Sequence, residues 1–210
     1  ETFRINMIST YNVFAAAEAH ALSRVVYASS ETVLGLPFDE PPDFAPIDET
    51  HPLRPESSYS LAKVAGETIA DQFVRRTRTP YVGLRISNIM EPEDYAAFPS
   101  YWDDPRIRKW NLWGYVDARD VAMACDLGLT AEVEGHEVAI IAAADNCMTR
   151  DSAGLMAEVY PDVPITRELH GRETLLAIDR ARATLGYEPQ YSWSDEVAAG
   201  SAPDRRPGPA

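Results

Sequence analysis

Residues 57–67 read SSYSLAKVAGE and place Tyr59 four positions ahead of Lys63. The segment reads as the first turns of a helix from about Ser58 to Arg76, with Val64, Ile69 and Phe73 inward. Side chains four apart share a helix face. A phenol is a poor acid or base near neutrality, and an ammonium one turn away stabilises the phenolate and brings it into a working range. Chance competes with that chemistry. Ten tyrosines in 210 positions give each lysine roughly a 5% chance of such a partner, or about one in ten for two lysines. Spacing alone leaves two readings open: a catalytic phenol with its cation, or two side chains on a solvated face.

The wider composition narrows the field. Of 19 basic residues only Lys63 and Lys109 are lysines, so lysine at position 63 invites a reason. A net charge of -14 disfavours a nucleic-acid partner, which needs clustered cations that are not outnumbered. No apolar run approaches the roughly 18 residues of a membrane span, and HEVAIIAAA fits a buried strand. The opening ten residues are polar and mixed, unlike a signal peptide. Cys125 and Cys147 lack metal-ligand spacing and suggest no disulfide framework, which points to a reducing cytoplasm. The four histidines show no metal-binding spacing either, so no metal site is expected.

On either side of the quoted stretch, helical and strand patterns alternate. Residues 2–21 carry Phe3, Met7, Tyr11, Phe14 and Ala17 at helical spacing, which predicts a helix buried on one face. RVVYASS and YVGLRIS read as buried strands, HEVAIIAA as a third. A proline-rich loop separates the first strand from the Tyr59 helix. Asp117 is the expected N-cap of the helix in DARDVAMACDLGLT, and Gly186 the expected residue just beyond the helix in DRARATLGYEP. The alternation predicts an α/β fold with a parallel sheet, whose ligands bind outside the carboxyl ends of the strands. Ser29 and Ser30 end one strand, and Ser87 and Asn88 end the next. Read alone, the serines serve equally well as caps of backbone groups, and Asn88 as a turn residue.

Six segments in order, NMISTYNVFAAA, RVVYASSETVLG, HPLRPESSYSLAKVAGE, LRISNIMEP, WGYVDARDVA and DRARATLGYEP, resemble the extended short-chain dehydrogenase/reductases, the NAD-dependent epimerase/dehydratase family. The resemblance covers roughly residues 1–195. It implies a partial doubly wound, Rossmann-like sheet formed by 1–88 with 114–145. A small substrate-side cap from 89–113 with 146–198 and a disordered tail at 199–210 complete the expected chain. By resemblance Tyr59 is the general acid/base, Ser30 the catalytic serine, and Lys63 the partner of both Tyr59 and the nicotinamide ribose. Ser29 and Ile86 join Tyr59 and Lys63 against the cofactor, NAD or NADP. Ser30, Asn88 and Trp113 face the substrate, and Asn6 matches a family asparagine. The helices at 2–21 and 58–76 match a common homodimer interface.

Two departures qualify these implications. Members of the family open with a glycine-rich turn that cradles the pyrophosphate, whereas the first glycine here is Gly35. The expectation is a chain starting at the fourth helix of the nucleotide-binding domain, with a broken sheet edge. In members acting on nucleotide sugars, an arginine ahead of the Tyr-Val pair binds the diphosphate. Trp113 stands near that place, in a short aromatic insert that also holds Arg106 and Arg108. A sugar, a sugar acid or another polyol-like small molecule is the expected substrate, with a nucleotide sugar also open. The implied activity is NAD(P)-dependent oxidation, epimerisation or dehydration of a sugar-like alcohol. Its rivals are a non-catalytic Rossmann-like binding protein and an inactive fragment of such an enzyme.

Overall fold

The computed structural model describes residues 1–200. A helix, α1 (Thr2–Ala19), leads into strand β1 (Val25–Ala28) and a 3₁₀ turn at Glu31–Leu34. After the proline-rich loop come α2 (Ser58–Thr77) and strand β2 (Tyr81–Ile86). The chain continues through β3 (Ile89–Met90), irregular helical turns, β4 (Val116–Asp117), α3 (Ala118–Thr130) and β5 (His136–Ile141). It closes with α4 (Ser152–Val159), α5 (Asp179–Leu185) and α6 (Trp193–Gly200). Of the tail expected at 199–210, residues 199 and 200 belong to α6, and 201–210 lie outside the described residues.

Strands β1, β2 and β5 pair in that order, all parallel, with α2 and α3 serving as the crossovers. The fold is therefore the expected Rossmann-like arrangement, with helices on both faces. Alternation along the strands divides the sheet. Val25 and Tyr81 pack with Phe14 of α1 and Ala70 and Phe73 of α2, while Val82, Leu84 and Ala139 join the larger core on the α3 side. Central strand β2 is buried at Tyr81–Arg85, as a strand covered on both faces requires. Gly83 is needed there because the Tyr27 hydroxyl lies 2.6 Å from where a Cβ would stand. Strand β1 pairs only with β2 among the described residues and is half-buried, an edge strand.

Helix α1 departs from its expected stripe. Only Phe14 and Ala17 are buried, whereas Phe3 and Tyr11 are exposed. Tyr11 and Phe14 meet Phe73 edge-on, Phe14 also meets Tyr81, and Thr10 lies against Gly66 of α2, while Phe3 in the first turn stays outside these contacts. Asn6 donates back to the Thr2 carbonyl at 3.0 Å and does not reach another helix. Asp117 caps α3 through the Arg119 N–H, and Gly186 takes the left-handed conformation after α5 at φ 70°, both as expected.

The segment after β2 is largely irregular. Short 3₁₀ turns at Pro92–Tyr101, Pro105–Ile107 and Lys109–Asn111 are tied to the sheet by the parallel pair β3–β4. Phe98, Trp113, Leu155 and Trp193 share one continuous apolar core with Leu34, Leu84 and Ile140, so the cap has no separate core of its own.

Candidate active site

The carboxyl ends of β1 and β2 open into a crevice of about 440 Å³. Its lining includes Ser30, Glu31, Tyr59, Ile86, Asn88 and Trp110. Each arrives by a local device. A reciprocal capping pair starts α2: Ser60 N–H donates to Ser57 Oγ at 3.0 Å, and Ser57 N–H to Ser60 Oγ at 2.9 Å. That start puts Tyr59 in the first turn, with Lys63 one turn further on the same side. The Lys63 ammonium donates to the Ala28 carbonyl at 2.7 Å and lies 5.3 Å from the Tyr59 ring centre. Burial without a counter-charge pulls the Lys63 ammonium below the usual lysine range.

Ser30 caps the 3₁₀ turn that follows β1. Its Oγ accepts from Thr32 N–H at 3.2 Å and from Thr32 Oγ1 at 3.0 Å. With both lone-pair directions in use, the Ser30 hydroxyl proton is the part left to offer. The neighbouring Ser29 hydroxyl is committed elsewhere. It donates to Glu67 Oε1 at 2.6 Å, and Glu67 forms a bidentate, buried ion pair with Arg85. Any part Ser29 plays toward a cofactor therefore falls to its backbone.

Trp113 does not reach the crevice. It is fully buried, packs near Tyr160 and donates its indole N–H to the Pro105 carbonyl at 2.7 Å. Trp110 takes the place beside the crevice that the sequence reading assigned to Trp113. Arg106 points outward to Glu158 and Asp104. Arg108 turns inward and is 6% exposed. Its guanidinium lies 4.8 Å from the Trp110 ring and 5.1 Å from Tyr101. The Asn88 amide oxygen, oriented to face it, accepts from both terminal nitrogens of Arg108 at 3.2 Å.

Glu31 belongs to no motif in the sequence. Glu31 is 3% exposed, and its Oε2 accepts from Ser87 Oγ at 2.6 Å. Burial lifts this carboxyl to about 7, against the opposing pull of Ser87, Asn111, Arg108 and Asn88. An acidic residue wedged between a serine pair and the apolar TVL was the available signal. It reads as an ordinary first-turn residue until the fold encloses it. Among the described residues no group of three or more His, Cys, Asp or Glu side chains is placed to hold a metal ion.

A parallel sheet with helical crossovers and a polar crevice at its carboxyl edge defines the class as a Rossmann-like nucleotide-binding fold. The model of the NAD dependent epimerase/dehydratase family matches residues 1–142, and the chain belongs to that family of NAD-dependent enzymes. A putative UDP-glucose 4-epimerase of Methanocaldococcus jannaschii is 27% identical over 92% of this chain and 67% of its own length. A uronate dehydrogenase of Pseudomonas putida is 28% identical over 67% of this chain and 46% of its own. The chain thus spans about two thirds of the first relative and under half of the second. In structure, a short-chain dehydrogenase/reductase superfamily protein from Agrobacterium tumefaciens, solved with bound NAD, superposes with a TM-score of 0.67 at 23% identity. That superposition covers 94% of this chain and 71% of the other.

The crevice residues fit the nicotinamide end of NAD(P). Lys63 offers a partly buried cation beside the Tyr59 ring, and Ile86 an apolar wall next to it. Among the described residues no glycine-rich turn follows a strand, so this fit concerns the nicotinamide and its ribose and not the pyrophosphate.

Proposed function

We propose that this chain carries the catalytic site of an NAD(P)-dependent oxidoreductase or epimerase/dehydratase acting on a sugar-like alcohol. The observation that carries the reading is the convergence of Ser30, Tyr59 and Asn88 on one crevice, with Lys63 anchored beneath the Tyr59 ring. Bound NAD(P) supplies the redox partner that accepts a hydride from the carbinol carbon. Tyr59 takes the hydroxyl proton, and the Lys63 ammonium stabilises the phenolate required for that transfer. Ser30 donates its proton to the same substrate oxygen and holds it in place. Asn88 and Trp110 position the rest of the substrate.

Within that class, a sugar acid is the substrate we favour. Arg108 is a buried guanidinium with no carboxylate in ion-pair contact among the described residues, and its Nε has no acceptor. That guanidinium lies behind Asn88 and Trp110, which line the crevice, and a uronate would bring a carboxylate to that side. The uronate dehydrogenases among the relatives, including one from Pseudomonas syringae that is 33% identical over 45% of this chain, support the same choice. A homodimer through α1 and α2 would cover the exposed Phe3, Ile8, Tyr11 and Leu61. The free thiols of Cys125 and Cys147 suit a reducing cytoplasm.

Tyr59→Phe tests the catalytic assignment. Turnover should fall by roughly 10²–10⁴-fold while NADH binding, followed by fluorescence, stays largely intact. Turnover at the parent rate would remove Tyr59 from proton transfer and leave a crevice built for binding alone.

A further inference from the structure

Asn88 lines the crevice and is held from several sides at once. Its backbone carbonyl accepts from the Val116 N–H at 3.0 Å, and its backbone N–H faces the Glu31 carboxyl. Its amide oxygen accepts from both terminal nitrogens of Arg108 at 3.2 Å. The reverse orientation would set amide N–H groups against guanidinium N–H groups, donor on donor. With the oxygen held in this way, the amide NH₂ is the group Asn88 has left to offer a ligand.

Arg108 is placed to enforce that orientation without entering the crevice. It is buried behind Asn88 and Trp110. Its guanidinium also donates to the Gly114 carbonyl at 3.3 Å and lies 4.8 Å from the Trp110 ring. One side chain thus braces two of the residues that line the crevice. Its own backbone is tied down in turn, because the Trp113 N–H donates to the Arg108 carbonyl at 3.3 Å. The left-handed residues Leu112 and Trp113 turn the chain back so that Gly114 meets the guanidinium. A lysine would bring only a point charge on a flexible stem, whereas the planar fork presents two fixed donors to a single amide oxygen.

We propose that Arg108 is a positioning residue: it fixes the Asn88 amide as a hydrogen-bond donor to the crevice, so that the site selects a substrate with an oxygen acceptor at that point. This inference rests on the reading of Asn88 as a substrate contact and adds what that contact recognises. Ser30 and Tyr59 take the reacting oxygen, so Asn88 meets a second oxygen of the same molecule. A carboxylate, a carbonyl or a hydroxyl oxygen satisfies such a donor, and an ammonium does not. An amide free to turn would have to be ordered by the ligand itself, which weakens binding.

The test reads the amide and the binding together. In the isotope-labelled full chain, the proton–nitrogen signals of the Asn88 side-chain NH₂ are identified by their absence in Asn88→Asp. They should lie away from the position of an exposed asparagine in the parent and move to that position in Arg108→Met. Calorimetric titration with D-glucuronate and with D-glucose, NAD being present throughout, should show Arg108→Met weakening both by at least about 10-fold, the effect of one ordered hydrogen bond. NADH affinity should stay unchanged. Arg108→Lys keeps the charge and loses the fork, so it should restore neither sugar. Asn88→Asp exchanges the donor for an acceptor and gives Arg108 a carboxylate, so both sugars should weaken by at least about 10-fold while the urea midpoint holds or rises.

Asn88 signals that Arg108→Met does not move would overturn the positioning role. So would glucose affinity left intact by that variant, or glucuronate affinity recovered by Arg108→Lys, either of which makes Arg108 a charge rather than a brace. All three leave the sugar-acid reading standing where the parent prefers glucuronate to glucose. A parent that prefers glucose would overturn the sugar-acid reading and leave Arg108 to the same signals. A parent that binds neither sugar would overturn the sugar reading, and the amide signals then decide the positioning alone. Should Arg108→Met fail to fold, Arg108→Lys serves the same comparison.

Discussion

Two buried arginines on this chain meet opposite surroundings. Arg85, on β2, faces a carboxylate: Nε and Nη2 reach the two oxygens of Glu67 at 3.0 and 2.8 Å, and Ser29 adds a third hydrogen bond to the pair. Arg108, in the aromatic insert, faces carbonyl and amide oxygens, a neutral thiol and two aromatic rings. Each keeps one nitrogen without an acceptor. The difference is charge balance. Arg85 is closed against Glu67 and ties α2 to the sheet, whereas Arg108 holds a charge in reserve beside the crevice. The first arginine is answered by a carboxylate, the second by neutral groups and aromatic faces.

Substitutions that separate the two arginines sharpen the comparison. Arg85→Ala strands Glu67 as a buried, unanswered carboxylate and should cost about 3–5 kcal/mol in urea unfolding. A loss under about 1 kcal/mol would mean that the pair is looser than its geometry. Ser29→Ala removes one charge-assisted hydrogen bond from the same cluster and should cost about 1.5–3 kcal/mol, with NADH affinity unchanged. A large fall in NADH affinity without loss of stability would return Ser29 to the cofactor. Arg108→Met should have the smallest effect on stability, neutral or stabilising by about 1 kcal/mol, because it removes a buried charge with no carboxylate in ion-pair contact among the described residues. The same variant should lose glucuronate binding. A strongly destabilised Arg108→Met with intact glucuronate binding would erase the distinction between the two sites.

The arrangement of strands and helices was legible in the sequence because its determinants are local. Serines 57 and 60 cap α2 reciprocally, Asp117 caps α3, and Gly186 supplies the left-handed residue after α5. Helical spacing likewise placed Tyr59 and Lys63 on one side of α2, and strand ends placed Ser30 and Asn88 at the carboxyl edge of the sheet. Local pattern failed where burial depends on distant chain. The stripe on α1 predicts a buried face, yet Phe3 and Tyr11 are exposed, Tyr11 meeting Phe73 of α2 only at a ring edge.

The insert shows the same limit more sharply. WNLW offers two tryptophans three residues apart, and nothing in their spacing says that Trp110 meets the crevice while Trp113 is sealed beneath it. Leu112 and Trp113 adopt positive φ angles of 53° and 57°, so the chain reverses between the two rings in a way no helical or strand period describes. Sequence by itself determined the main helices and the three long strands, their order and the phenol–ammonium pair, all set by neighbours within a turn or two. Tertiary structure alone decided which arginine is answered and that Glu31 is buried against Ser87, 56 positions away. Charge balance and desolvation are properties of what surrounds a group, and the fold supplies those surroundings from parts of the chain that spacing does not connect.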